Sequence, residues 1–190
     1  MSAAKTRSDA RGRILETAEK LFYAEGYRAV GIDRIIAEAG VAKMTLYKHF
    51  PAKDDLVLEV LKSRDKKLCQ AFADAIARYR NAGAQPLAAF FAALKEWFSS
   101  DDFRGCAFIN AAVEFTDPEH PVSEFARFHK REFFKLIHQA VVDDGAPEAI
   151  APAVGLLVEG AIVAALMNQD PASADVARDA AVAMASGAVS

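Results

Sequence analysis

Apolar side chains recur every three or four residues along most of the chain, which is the period of an α-helix. Ile14, Ala18 and Leu21 follow this spacing, and Gly26 marks the end of the first predicted helix. No stretch of the sequence alternates apolar and polar residues for long enough to predict a strand. The pattern therefore predicts an all-α protein.

Three short helices are predicted before residue 51, and a glycine separates the second from the third. The second covers residues 32–39 and the third residues 43–50, with Gly40 in the tight turn between them. Glycine suits such a turn because it adopts a positive φ without a Cβ clash. This arrangement predicts a helix-turn-helix domain, which we place at residues 1–52.

Residues 53–190 are predicted to form a second, larger helical domain. Its first helix starts at Pro51, just before the domain boundary, and runs to the Asn81-Ala82-Gly83 turn. This helix is ~40 Å long at 1.5 Å per residue, long enough to join two domains. Further helices are predicted over residues 86–99, 106–115, 122–142, 147–167 and 173–186.

Residues 149–167 are the most apolar stretch of the chain, which raises the question of a membrane-spanning helix. Pro152 and Glu159 interrupt the stretch, whereas a spanning helix needs ~20 predominantly apolar residues. We therefore interpret it as a buried helix and expect no membrane partner. No secretory pattern precedes it at the start of the sequence, so a cytoplasmic location is expected.

Charge is distributed unevenly along the chain. Residues 1–53 contain ten Lys or Arg and six Asp or Glu, whereas the remaining residues contain thirteen and twenty. A basic N-terminal domain on an acidic body suits a protein in which that domain alone meets an anionic partner. The first basic residues predict a mobile arm: Lys5, Arg7, Arg11 and Arg13.

The third predicted helix combines apolar anchors with a polar surface. Leu46, Phe50 and the preceding Val41 are expected to face the other two helices. The remaining side chains suit DNA, because lysines pair with phosphates or guanine edges, hydroxyls donate to phosphate oxygens and a methionine can contact a thymine methyl. These surface residues are Lys43, Met44, Thr45, Tyr47, Lys48 and His49. Taken alone, the segment also fits an ordinary solvated helix.

The segment "ILETAEKLFYAEGYR", with the "AVGIDRIIAEAGVAKMTLYKHFPAKDDLV" that follows it, resembles the DNA-binding domain of the TetR (tetracycline-repressor) family of bacterial transcription regulators. The resemblance covers about residues 10–60. It implies an all-helical homodimer, usually a repressor, whose C-terminal domain binds a small ligand. It also implies that the six surface residues lie at or near DNA, that Lys53 contacts a phosphate and that Arg34 can reach DNA. Gly31 departs from the pattern, which often has Ser or Thr there, so a backbone N–H is expected to replace the hydroxyl contact.

The last two predicted helices mix small and large apolar residues, as helices that approach each other closely do. By resemblance they form the dimer interface, although the centre of a monomeric bundle has the same pattern. Ten phenylalanines and Trp97 in the middle helices predict an apolar core, part of which can line a cavity for an apolar effector. The candidate lining residues are Trp97, Phe103, Cys106, Asn110, Glu114, Phe128, His138 and Glu159.

The resulting hypothesis is a repressor that binds a palindromic operator as a homodimer, with half-sites ~34–36 Å apart or a multiple of that. A small apolar effector is expected to release the repressor from the operator. The alternative is an architectural or low-specificity DNA-binding dimer without an effector. No enzyme activity and no cofactor are expected, because the sequence lacks motifs such as HExxH or a P-loop. His120, His129 and His138 are nine residues apart, which places neighbours on opposite faces of a helix and disfavours a shared metal site.

Overall fold

The computed structural model describes residues 10–187, and this part of the chain consists of helices and connecting loops, with no strand. The prediction of an all-α protein is confirmed. The helices are α1 (Ala10–Glu25), α2 (Ile32–Ala39), α3 (Lys43–His49), α4 (Lys53–Asn81), α5 (Pro86–Phe98), α6 (Ala107–Glu114), α7 (Pro121–Asp143), α8 (Ala151–Asn168) and α9 (Ser173–Ala185).

Prolines account for two differences from the predicted helix boundaries. Pro51 precedes α4 instead of starting it, and the Asp55 carboxylate accepts a hydrogen bond of 2.9 Å from the Ala52 backbone N–H, which caps the helix start. The predicted helix over residues 147–167 begins as a 3₁₀ turn at residues 148–150, and α8 follows it with Pro152 in its first turn.

The chain divides into two compact units. Within the described residues, the N-terminal unit contains residues 10–66 together with Ala107–Phe128, and the C-terminal unit contains Lys67–Cys106 and residues 129–187. The division falls inside α4 and not at residue 52, because the first half of α4 contributes to the core of the N-terminal unit. Its buried side chains there are Leu56, Val57, Val60 and Leu61. The functional boundary at residue 52 stays a prediction.

In the N-terminal unit, α1, α2 and α3 pack against one another. Ile14 and Ala18 of α1 are fully buried, and so is Leu46 of α3. Phe50, directly after α3, is buried as well, so the expectation that it anchors α3 together with Leu46 is confirmed. Val41 was expected to face inward with them but is only half-buried.

The turn between α2 and α3 depends on Gly40. This residue adopts φ +61° and ψ +45°, and its N–H and that of Val41 donate to the last carbonyls of α2, on Ala37 and Ile36. The expectation of a positive φ is confirmed, and the turn fixes how α3 leaves α2.

Gly40→Ala is expected to lower the free energy of unfolding by about 1–2 kcal/mol, because alanine is strained in the left-handed region. No atom lies within 4 Å of the added Cβ, so the cost comes from the backbone alone. Gly31→Ser is the matched control, because Gly31 has the same open surroundings but φ −83° and ψ 152°, and serine there can cap α2. Urea denaturation should show a loss for the first variant only; equal midpoints would contradict the prediction.

The C-terminal unit has an aromatic core and a close helix–helix approach. The Phe72 ring of α4 lies 6.0 Å from Phe90, 6.0 Å from Trp97 and 5.4 Å from Phe133, measured between ring centroids. In α8, a Cβ on Gly155 would lie 2.5 Å from the ring of Phe134, so this glycine serves packing between α7 and α8 within one chain.

The apolar segment Glu148–Asn168 is long enough and apolar enough to cross a membrane by composition, with a mean hydropathy of 2.1. Core helices of soluble proteins pass the same test, and 39% of the most apolar part of this segment is buried within the chain. One side of α8 therefore packs within its own unit, and the other side carries exposed apolar side chains.

Candidate nucleic-acid interface

The side chains of α3 that were predicted to contact DNA lie on its outer surface. Met44 is 80% exposed, and Tyr47, Lys48 and His49 are exposed as well, whereas Thr45 is half-buried. Met44 thus presents a large apolar side chain to solvent beside the exposed ring of Tyr47 and two exposed basic residues. The arrangement suits a surface that another molecule covers.

The exposed residues of α3 belong to two different faces. Thr45, Lys48 and His49 line a cleft of about 460 Å³, together with Arg13 of α1 and the turn at residues 40–42. Within the described part of the chain, the lining includes no Asp or Glu, so the cleft is a cationic site. The other face carries Lys43, Met44 and Tyr47, which stand outside the cleft.

Arg13 also lines this cleft, although the sequence pattern did not predict a DNA contact for it. It was assigned to a mobile arm, but Arg11 and Arg13 both lie within α1, so that assignment is wrong for these two residues. Lys5 and Arg7 of the predicted arm lie outside the described residues. The Arg13 Nε donates to the Ala39 carbonyl at 3.2 Å, which ties α1 to the end of α2. Its side chain reaches the cleft through the packing of α1 against α2, which the charge pattern alone does not indicate.

Arg34 and Lys43 are exposed but have acidic partners. The Arg34 guanidinium donates to Glu25 and, at 2.8 Å, to Glu38, and these hydrogen bonds raise the pKa of Arg34 above its usual value. Lys43 Nζ lies 3.4 Å from Asp33. Both cations must give up these exposed partners to contact DNA, so the expected contacts of Arg34 and Lys43 with DNA stay predictions.

Lys53 lies at the first residue of α4 and is half-buried. Its Nζ donates to the Arg28 carbonyl at 3.3 Å and lies 5.9 Å from the centre of the Phe22 ring. Burial lowers the pKa of the Lys53 ammonium, and the carboxylates of Asp54 and Glu114 act in the opposite direction. The loop after α1 thus holds this lysine in place.

Comparison with known proteins agrees with this geometry. The family model described as bacterial regulatory proteins, tetR family, matches residues 14–60, which include α2, α3 and the start of α4. The crystal structure of SCO4454, a TetR-family transcriptional regulator from Streptomyces coelicolor, has a similar fold with a TM-score of 0.81. The two chains are 33% identical, and the match covers 95% of this chain and 96% of that one.

The chain belongs to the TetR family. It is therefore a DNA-binding transcription regulator with a helix-turn-helix domain and a C-terminal helical domain. The transcriptional regulator LmrA of Bacillus subtilis is 29% identical over 164 residues, covering 83% of this chain and 87% of LmrA. The transcriptional activator FasR of Mycolicibacterium smegmatis is 46% identical over 55 residues, which is 29% of this chain and 25% of FasR.

The candidate ligand-pocket residues of this TetR-family chain fall in both units. Asn110, Glu114 and Phe128 lie in the N-terminal unit, and the other five lie in the C-terminal unit. Glu114 has another use, because its two carboxylate oxygens accept hydrogen bonds from the backbone amides of Tyr27 and Arg28. Phe128 is 42% exposed.

Two candidates of the C-terminal unit contact other polar side chains. His138 Nε2 lies 2.8 Å from Glu148, and Glu159 accepts a hydrogen bond of 2.7 Å from Lys130. The remaining three candidates are two aromatic residues and a cysteine. Trp97 and Phe103 are half-buried with their ring centroids 5.2 Å apart, and Cys106 is buried.

Metal binding has no support among the described residues. Within residues 10–187, no group of three or more His, Cys, Asp or Glu side chains is placed to hold a metal ion. His120 lies in the N-terminal unit, where its Nε2 is 3.2 Å from Asp54. His129 is buried against the Phe133 ring in the C-terminal unit.

Proposed function

We propose that this protein is a repressor that binds a palindromic operator as a homodimer and that a small apolar effector releases it. The observation that carries the proposal is the exposed surface of α3, which presents Met44, Tyr47 and Lys48 on a helix anchored by buried Leu46 and Phe50. A surface of this kind gives both base contacts and phosphate contacts.

The two faces of α3 divide these contacts. The face with Lys43, Met44 and Tyr47 enters the major groove, where a methionine can contact a thymine methyl and a lysine a guanine edge. The cationic cleft with Arg13, Lys48 and His49 takes a backbone phosphate of one strand, because it brings these basic side chains together with the Thr45 hydroxyl and, among the described residues, no Asp or Glu lines it. Lys53 contacts a further phosphate.

The homodimer is supported by the exposed side of α8 and α9. A groove of about 470 Å³ runs between these helices, and its lining includes small residues such as Gly160, Ala164 and Ala180. Leu156 and Val176 line the same groove and are 75% and 71% exposed. Exposed large apolar side chains beside small residues can fit against the same surface of a second copy under a twofold axis, so a second copy is the occupant that we propose.

An apolar effector is supported by the aromatic side chains of the C-terminal unit. Trp97 and Phe103 are half-buried rings in contact with each other and with Phe98. Half-buried aromatic rings can move aside for a flat or lipophilic molecule at a smaller packing cost than fully buried ones. The effector acts through its different affinity for the DNA-binding and released states of the dimer.

Activation of transcription is an alternative to repression. FasR is named as a transcriptional activator, so activation is the alternative that its similarity to the N-terminal part of this chain favours. A low-specificity architectural dimer without an effector is the other alternative. We propose a cytoplasmic location because the relatives are named as transcription regulators, and we propose no enzymatic activity.

Selection of bound duplexes from a random DNA pool tests the proposal. The repressor hypothesis predicts enrichment of an inverted repeat, and fusion of the selected site to a promoter then separates repression from activation. A metabolite screen by thermal shift, followed by release of the selected DNA, identifies the effector. Recovery of unrelated sequences with equal affinity, together with no ligand-induced shift, would favour the architectural alternative.

A further inference from the structure

One carboxylate binds two backbone amides of the loop that follows α1. Glu114, the last residue of α6, accepts hydrogen bonds from two consecutive backbone amides, that of Tyr27 at 3.0 Å and that of Arg28 at 2.6 Å. Consecutive N–H groups that converge on one anion form a strong backbone site for it. Gly26 gives the carboxylate room, since a Cβ there would lie 3.1 Å from its Oε1 atom.

The other end of α6 holds the same loop. The Tyr27 hydroxyl donates to the Ala107 carbonyl at 3.1 Å, and its side chain is almost fully buried. The Phe115 ring packs edge-on against Tyr27, with 6.2 Å between the ring centroids. Both ends of α6 thus contact the loop. The conformation of residues 26–28 is therefore fixed by a segment about 80 residues later in the chain.

The loop in turn determines where Lys53 lies. The Arg28 carbonyl accepts the hydrogen bond of 3.3 Å from Lys53 Nζ, and the Arg28 amide on the same residue is bound by Glu114. Gly31, three residues further on, is the N-cap of α2. A functional group is effective only when its support holds it within about 0.5 Å of its working position. Release of the Arg28 amide would leave the Lys53 ammonium without a fixed acceptor.

We propose that Glu114 is a positioning residue for DNA binding, which acts by holding the Gly26–Arg28 loop and, through the Arg28 carbonyl, the ammonium of Lys53. The inference rests on the proposed contact between Lys53 and a phosphate. It gives Glu114 a role far along the sequence from α3, and it needs no ligand in the C-terminal unit.

The salt dependence of DNA binding tests this role. In Glu114→Ala, we expect roughly tenfold weaker binding to the selected operator and a slope of log K against log salt that is smaller by about one per subunit, because one phosphate contact is lost. Glu114→Gln keeps one oxygen acceptor and should recover part of the affinity. Glu124→Ala is the matched control, because it removes the same charge from an exposed position of the same unit, and it should retain the wild-type slope.

A merely structural role has a different signature. Partial unfolding would reduce the fraction of active protein, measured by stoichiometric titration, and leave the slope of the active fraction unchanged; that result would overturn the inference. Wild-type affinity and slope in Glu114→Ala would overturn it too. If Glu114→Ala does not fold, Glu114→Gln is judged by the same slope. Lys53→Ala tests the proposed phosphate contact by itself. An unchanged salt slope in Lys53→Ala refutes the phosphate contact of Lys53. A reduced slope in Lys53→Ala, with no change in the Glu114 variants, refutes only the role of Glu114.

Discussion

Lys48→Ala is expected to weaken binding to the selected operator by about 1.5–3 kcal/mol per subunit, the usual contribution of a charge-assisted hydrogen bond. Lys48 lines the cationic cleft with Arg13 and His49, so its proposed partner is a phosphate. The loss should therefore be similar for operator and unrelated DNA, and the salt slope should fall by about one per subunit. A fluorescence anisotropy titration at several salt concentrations measures both quantities.

Met44→Ala is the informative comparison, because Met44 lies on the other face of α3 and carries no charge. It should leave the salt slope unchanged and alter the preference among operator variants at one position of each half-site. Loss of sequence preference in Lys48→Ala, or a reduced slope in Met44→Ala, would contradict the division of α3 into two faces.

Tyr47→Ala should abolish binding in a gel-shift assay while the protein stays a folded dimer.

The fold was largely predictable because it depends on local periodicity. Leu46 and Phe50 could be assigned to the core from their spacing alone, and the φ of Gly40 followed from its place between two short helices. The boundary inside α4 was not predictable in this way. A continuous helix carries no local signal at Lys66, where its contacts change from one compact unit to the other.

The predicted interface residues on α3 were found because they are adjacent in sequence, whereas the parts supplied from a distance were missed. Arg13 looked like one of several basic residues near the N-terminus, and only the packing of α1 against α2 brings it to the cleft. Glu114 was predicted to line a ligand pocket, as was Asn110 four residues before it. Its contact with the Tyr27 and Arg28 amides spans 87 and 86 positions of the chain, and no periodic pattern indicates such a pairing.

Leu156→Glu is expected to convert the proposed dimer into a monomer and to weaken operator binding roughly 10²–10⁴-fold, the usual gain from linking two binding modules. Leu156 is 75% exposed in the single chain, so glutamate there costs little in folding. In a dimer the same position would be buried, and an unpaired buried carboxylate is strongly unfavourable. Sedimentation equilibrium and anisotropy measure the two effects on one sample.

Leu136→Glu is the matched control for this prediction, because Leu136 is an exposed leucine of α7 that lies outside the groove between α8 and α9. It should remain dimeric and bind the operator as the wild type does. A monomeric Leu156→Glu that still binds the full operator with wild-type affinity would show that one helix-turn-helix domain suffices. In that case the half-sites of a palindrome would be independent, and the twofold arrangement would have no role in recognition.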